Sequence, residues 1–336
     1  MTVPALRELR RVLPDAEITL ATRSWTLGLF EDADFLDDVL IYDRGPRDLG
    51  AAARQTREWR RRRFDLAILF QNAFEAALIA ATARVPVRVG YATDRRGPLL
   101  THALSLPSWR DQRHEVFYYL NIVSELERLL NHVRVAETLE PRLNLDVSDK
   151  RKASARHFLR SQGVAEEGFL VALCPGSTNS RAKRWPAERY AALADRFVSE
   201  NGADVILLGS RDELGVSREV EARMRHRPIV LTGRTDLAQS VAILSLADVL
   251  ITNDTGPAHI AAALNRPTLV IFGPTDPRTT RPFSHVAEIV RHPPECAPCM
   301  LRDCPIDHRC MTAITPDEVF LRASAILKRR GEGVSG

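Results

Sequence analysis

The chain has 336 residues, 45% of them hydrophobic and 27% charged, with 47 basic residues against 43 acidic ones. This is the balance of a globular protein of two domains, and a net charge of +4 is too small to argue for a nucleic-acid partner. No apolar run reaches the ~18 residues that span a bilayer, and Arg7, Arg10 and Arg11 interrupt any signal-peptide core, so a cytoplasmic protein is expected.

Short apolar runs alternate with amphipathic stretches along the whole chain, the pattern of an α/β protein with parallel sheets. The first half predicts a helix at 3–12, strands at 17–21 and 38–42, a helix at 49–62, a strand at 64–70, a helix at 73–83, a strand at 86–91 and a helix at 115–130. Residues 137–150 have no period and contain Pro141; they read as a linker between domains 1–150 and 151–336. The second half predicts strands at 169–173, 204–208, 229–231, 249–252 and 268–272. Helices are expected between them at 186–200, 214–224, 237–245 and 258–264. A closing helix at 315–330 takes Thr315 as N-cap and Pro316 at its first position. Such regular strand–helix repetition makes a Rossmann-like doubly wound sheet.

In such a sheet ligands sit beyond the carboxyl ends of the strands, where loops meet helix N-termini. Three loops there are chemically unusual. The first runs from Pro175 to Pro186: Gly176 allows close backbone approach, Ser177, Thr178 and Asn179 offer short donors, and Lys183 and Arg184 add charge. That set suits a pyrophosphate; the plainer reading is a polar loop before a helix. The second, Gly209-Ser210-Arg211-Asp212-Glu213, puts carboxylates where they either accept from ribose hydroxyls or cap the helix. The third is Asn253-Asp254-Thr255-Gly256-Pro257-Ala258-His259. Its helix-start amides suit a sugar diphosphate, and Thr255 supplies a donor. Asp254 reads either as a ligand of sugar hydroxyls or as a cap, and His259 as a ligand or a core residue.

Together these loops resemble glycosyltransferase family 9, the heptosyltransferases of lipopolysaccharide core assembly. The likeness rests on Pro175-Gly176-Ser177 with Ala182 to Pro186, on Asn253 to Gly256 with His259, on Ala261 to Pro267 and on Gly273-Pro274-Thr275. Pro4-Ala5-Leu6-Arg7 with Pro14-Asp15-Ala16 extends it to the start of the chain. It is most similar to the ADP-heptose:lipopolysaccharide heptosyltransferase II branch. The resemblance implies a GT-B fold, two Rossmann-like doubly wound domains facing a cleft, with the acceptor on the first and the ADP-sugar on the second. It implies inverting transfer without a metal cofactor, at the inner face of the cytoplasmic membrane, to a lipid-linked glycan. Ser177, Thr178 and Lys183 would hold the diphosphate, Glu213 the ribose and Thr235 the adenine. Asp254, Thr255, Gly256 and His259 would contact diphosphate and sugar. The family begins with a strand and a Gly-Asp pair that supplies the base. This chain opens at Met1-Thr2-Val3-Pro4, so the first strand is expected to be missing and the base to lie upstream of Met1. Rival readings are a transferase using another nucleotide sugar, such as a UDP-sugar, a non-hydrolysing epimerase, or a nucleotide-sugar-binding protein without turnover.

Cys296, Cys299, Cys304 and Cys310 have spacings open to a structural zinc site, an iron–sulfur cluster, free thiols or a disulfide. Arg95 and Arg96, beyond the strand at 86–91, are candidates for acceptor phosphates. The run Arg54, Arg57 and Arg60 to Arg63 reads as a solvated helix face or as a patch for anionic lipid. Trp25 either lines the cleft or packs.

Overall fold

The structure is a computed structural model that describes residues 1–43 and 49–333. Residues 44–48 and 334–336, which the expected domains 1–150 and 151–336 include, lie outside the described residues. The chain forms two compact units, Met1–Leu27 with Asp34–Leu143, and Gly28–Ala33 with Asn144–Gly336.

The first unit runs α1 (Val3–Val12), β1 (Thr19–Thr22), β2 (Asp38–Ile41), α2 (Leu49–Arg62), β3 (Leu66–Leu69), α3 (Phe74–Thr82), β4 (Val87–Tyr91), β5 (His102–Leu104) and α4 (Glu115–Asn131). Helix α1 buries Val3, Leu6, Leu9 and Val12 and packs on α4. That stripe repeats every three residues and so falls on one side of the helix. The described strands of this unit form two parallel sheets, β1-β2 and β3-β4-β5. Trp25 lies in a short 3-10 turn, Ser24–Leu29, and is 69% exposed, so it does not pack. The basic run of α2 is partly spent internally: Arg60 donates to the Thr82 carbonyl, and Arg61 and Arg62 bond Glu58.

The second unit follows as α5 (Asp149–Ser161), β6 (Leu170–Cys174), α6 (Ala187–Asn201), β7 (Asp204–Leu207), α7 (Leu214–Arg223), β8 (Ile229–Val230), α8 (Leu237–Leu244), β9 (Val249–Asn253), α9 (Gly256–Ala263), β10 (Thr268–Ile271), α10 (Pro277–Thr280), β11 (Ala287–Val290), α11 (Arg309–Thr312) and α12 (Pro316–Gly333). Its strands form one parallel sheet, ordered β11-β10-β9-β6-β7-β8. Every residue of β6 and β9 is buried, as central strands covered on both faces require. The two-residue period divides β6 between two cores. Val171 and Leu173 face Trp185, Tyr190 and Phe197 of the α6 side and Phe320 of α12. Leu170, Ala172 and Cys174 face Leu159 of α5 and Val241 and Leu244 of α8. Strand β11 and helix α5 were not expected. Helix α5 buries only Ala155 and Leu159, one turn apart, so its sequence shows almost no apolar stripe.

Residues Gly28–Ala33 join the second unit through Arg151 of α5. Its guanidinium bonds Asp32 Oδ2 at 2.6 Å, the Gly28 carbonyl at 3.0 Å and the Ala238 carbonyl at 2.8 Å. Gly28 lies so close to α8 that a Cβ there would come within 2.2 Å of the Ala238 nitrogen. Burial alone would raise the Asp32 carboxyl, but hydrogen bonds from Ser148 and Arg151 outweigh it and hold the group below its ordinary 3.8. A folded value below the unfolded one means stability that is present above 3.8 and lost as pH falls through the folded value. Asp32→Asn is therefore expected to cost about 1–3 kcal/mol at neutral pH. The difference from wild type should shrink as pH falls below 3.8 in urea titrations, and a difference independent of pH would dismiss the charge as the cause.

Candidate functional site

The chain passes from β6 outward to β7 and β8, then returns to place β9 on the other side of β6. The direction reverses between β6 and β9, and that switch point is where a doubly wound sheet opens a crevice. The loops after β6 and β9 meet there through one side chain. Asn253, the last residue of β9, is fully buried. Its Nδ2 donates to the carbonyls of Pro175 at 2.8 Å and Gly176 at 3.1 Å. Its Oδ1 accepts from the Trp185 amide at 3.0 Å and the Tyr190 hydroxyl at 3.1 Å. Burial pushes up the thiol of Cys174 and the phenol of Tyr190, so both are neutral beneath the loop.

Lys183 reaches across this junction. Its Nζ lies 2.8 Å from Asp254 Oδ2 and 3.2 Å from the Asp254 carbonyl. The same Oδ2 accepts from Thr275 Oγ1 at 2.7 Å. The Asp254 side chain is only 6% exposed, against 26% for Lys183. Asp254 therefore has its carboxylate turned inward, on Lys183 and Thr275. Thr255 stands at the N-cap of α9 without a side-chain capping bond, and Gly256 is exposed at the helix start. Those first amides have no intrahelical acceptor.

The remaining expected residues are placed as follows. Ser177 is buried, and its carbonyl accepts from Arg184 at 2.9 and 3.2 Å, while Thr178 is exposed. Glu213 closes a capping box with Ser210, accepting from its amide at 2.8 Å and its hydroxyl at 3.0 Å. The Glu213 carboxylate also lies over Gly176, where a Cβ would come within 2.4 Å of it. Glu213 thus ties the loop after β7 to the loop after β6. Thr235 is half-buried and shares a 2.8 Å hydrogen bond with Ser240. His259 is half-buried one turn into α9. Ser177, Thr178, Lys183, Glu213, Thr235 and the 254–259 segment all follow the carboxyl ends of the adjacent strands β9, β6, β7 and β8. Asn253 and Thr275 were read only as parts of the motifs that carry the resemblance, and none of Asn253, Tyr190 and Thr275 was given a role in the site. The signal for Asn253 is a polar residue closing an apolar strand; Tyr190, in α6, and Thr275, in the loop after β10, carry no such signal.

In the first unit Arg96 does not fit its expected place against acceptor phosphates. It is fully buried, and its guanidinium bonds the Tyr91 carbonyl at 2.8 Å, Asn72 Oδ1 at 2.9 Å and the Gln71 carbonyl. Its guanidinium joins the ends of β3 and β4. Arg95 is exposed, and it and Asp94 have φ of 56° and 49°. Two consecutive left-handed residues without glycine are costly and fix the direction in which Arg95 leaves the loop.

The cysteines require a correction as well. Cys296, Cys299, Cys304 and Cys310 are free thiols, so the disulfide alternative is excluded among them. Among the described residues no group of three or more His, Cys, Asp or Glu side chains is placed to hold a metal ion. The segment instead backs the phosphate-type loop. The Ala182 amide donates to the Arg302 carbonyl at 2.9 Å, His308 Nε2 lies 2.6 Å from the Ala182 carbonyl, and Arg181 pairs with Asp303 at 2.6 Å. Gly273 lets α11 close over β10, since a Cβ there would meet Met311 Sδ at 2.4 Å.

The doubly wound parallel sheet in a chain of two units is that of a GT-B-like fold. The chain belongs to glycosyltransferase family 9 (heptosyltransferase), whose profile matches residues 52–309. It is 29% identical over 301 residues to lipopolysaccharide heptosyltransferase 2 of Salmonella typhimurium, covering 87% of this chain and 84% of that one. The structure of E. coli ADP-heptose lps heptosyltransferase II superposes with a TM-score of 0.82 at 26% identity, over 98% of this chain and 95% of that one. A family 9 glycosyltransferase from Veillonella parvula gives 0.84 at 25% identity, over 98% and 93%.

Two substitutions test the junction. Asn253→Ala strands two carbonyls, an amide and a hydroxyl in the core, and is expected to cost at least about 3 kcal/mol in chemical denaturation. Asn253→Asp keeps the shape but turns an acceptor on the Pro175 and Gly176 carbonyls. A value within about 0.5 kcal/mol of wild type for the Asp variant would show that packing, not hydrogen bonding, closes the loop.

Proposed function

We propose that the chain transfers a heptose from ADP-heptose to a core acceptor of lipopolysaccharide, in line with the lipopolysaccharide heptosyltransferases it is similar to. The donor is held on the second unit, in the expected span 151–336, and the lipid-linked acceptor on the first, within 1–150. The observation that carries the reading is Lys183 beside the open N-terminus of α9, 2.8 Å from Asp254 at the switch point of the sheet.

The chemistry follows from charge. An acceptor hydroxyl oxygen bonds to the anomeric carbon as the bond from that carbon to the diphosphate oxygen breaks. The hydroxyl proton passes to a general base, and the bonding pair leaves with the diphosphate. Negative charge therefore grows on the diphosphate in the transition state. Lys183 Nζ, the α9 amides and the hydroxyls of Thr178 and Thr255 lie where a fixed positive field is needed, and no metal cofactor is required by this reading. Ser177 and Gly256 act through their backbone, which is free of bulk at Gly256. His259 faces the sugar from the next turn of α9. Asp254 positions Lys183, and Glu213 is placed to accept from ribose hydroxyls while it caps its own helix. Thr235 lies on the adenine side. Arg95 contributes to acceptor binding. No helix among the described residues is long and apolar enough to cross a membrane. A lipid-linked acceptor is then met by peripheral contact at the inner membrane face, from a cytoplasmic location.

Calorimetric titration with ADP and UDP tests the donor. ADP should bind more tightly, and Lys183→Ala should weaken it by about 1.5–3 kcal/mol. Preference for UDP would overturn the donor, and unchanged affinity in the variant would remove Lys183 from the site.

A further inference from the structure

A second concave site lies on the outer edge of the second unit, along β8. It has a volume of about 860 Å³ and is bounded by α7, β8 and Gln162 at the end of α5. None of Ser177, Lys183, Glu213, Thr235, Asp254 or Thr255 lines it. Four arginines do, Arg211, Arg218, Arg227 and Arg234, against one acidic residue, Glu221. Glu221 is already paired with Arg218 at 2.5 Å. Arg234 donates to Gln162 Oε1 at 2.6 Å, a neutral acceptor that cancels no charge. The guanidinium groups of Arg211 and Arg227 have no hydrogen-bond or ion-pair partner among the described residues, and both residues are exposed.

The rest of the groove is firmly built. Thr232 and Ser217 are buried, share a 2.7 Å hydrogen bond, and Thr232 also donates to the Leu207 carbonyl at 3.2 Å. Gly233 has a φ of 72°, and a Cβ there would come within 3.0 Å of the Arg211 Cα. The turn after β8 therefore packs directly against the backbone that carries Arg211. Like charges gathered in a concavity repel one another, and low-dielectric walls strengthen that field. The arrangement gains when an anion of matching charge enters. Guanidinium groups meet phosphate oxygens in a two-pronged geometry, which a ligand with several phosphates satisfies repeatedly. Leu214, Pro228 and Ile229 add an apolar wall for a carbon skeleton.

We propose that this groove binds a ligand carrying two or more phosphate groups, either a soluble polyphosphate compound or a phosphorylated lipid head group. It contains none of the residues assigned to the donor, although Arg211 shares the loop after β7 with Glu213 and Arg234 precedes Thr235, and the proposal does not depend on the heptosyltransferase reading.

The test uses the full chain and inorganic tripolyphosphate in calorimetry at low salt. Wild type should bind, and an R211Q/R227Q variant should bind about tenfold or more weakly, the loss expected when two charge-assisted contacts go. Both residues are exposed and unpaired, so the variant should keep the wild-type melting temperature. Lys183→Ala, which lies outside the groove, should retain a site that R211Q/R227Q removes. Cosedimentation with cardiolipin vesicles, against phosphatidylcholine alone, identifies the source. Retention that needs Arg211 and Arg227 supports a lipid head group, and tripolyphosphate binding without retention supports a soluble ligand. Absence of both by wild type, unchanged binding in R211Q/R227Q, or loss of all binding in Lys183→Ala would overturn the proposal.

Discussion

The side-chain amide of Asn253 holds the candidate site together. A primary amide has two N–H donors and one carbonyl acceptor with two lone pairs, and here all four are used inside the core. The donors gather the start of the loop after β6, and the acceptor gathers its end at Trp185 and the first turn of α6. A twelve-residue loop is thereby closed on a single rigid post at the end of β9. The positions of Ser177, Lys183 and Arg184 all follow from that closure. Trp185 adds a second fixed point, because its indole N–H donates to the Ile314 carbonyl at 3.0 Å. The strongly polar loop is thus mounted on a fully satisfied polar core, the condition under which buried polar groups rigidify a structure and do not weaken it.

Charge is distributed unevenly over the two kinds of site. At the switch point a buried carboxylate, Asp254, faces one cation and one hydroxyl, so the ground state is nearly neutral and Lys183 is already oriented. At the β8 edge the cations have almost nothing to oppose them. The first arrangement restrains a lysine that has many rotamers; the second leaves arginines free to turn toward whatever arrives. A buried pair is conserved in geometry, whereas a surplus at the surface responds to salt.

Much of the second unit is legible in the sequence because its period is strong. The strands at 169–173, 204–208 and 249–252 are almost wholly apolar, and the observed β6, β7 and β9 fall on them within a residue or two. The loops that follow could be marked as ligand-facing from glycine, short hydroxyl residues and lysine. Side-chain destinations could not. Arg96 and Arg95 are identical in type and adjacent, yet one is sealed in the core and the other projects from a left-handed turn. Only the three-dimensional partners Gln71, Asn72 and Tyr91 decide which. The same holds for the cysteines, whose spacing suggested ligands although the segment that carries them backs Ala182 through Arg302 and His308. Helix α5, with charged residues on most of its surface, carries too few buried positions to signal itself. Glu213 shows a mixed case: capping and the contact with Gly176 coexist, so the two readings of the sequence are not exclusive in space.

The six residues Gly28–Ala33 belong in space to a unit from which they are separated in sequence by more than a hundred residues. A gene cut at Leu143–Asn144 would release a carboxyl-terminal fragment with an unfilled slot beside Ala238 and an Arg151 stripped of Asp32 and the Gly28 carbonyl. The boundary that a modular exchange between relatives would have to respect is therefore discontinuous. A chimera that swaps the second unit must carry its own short piece from near the amino terminus, grafted into a first unit that is otherwise foreign to it.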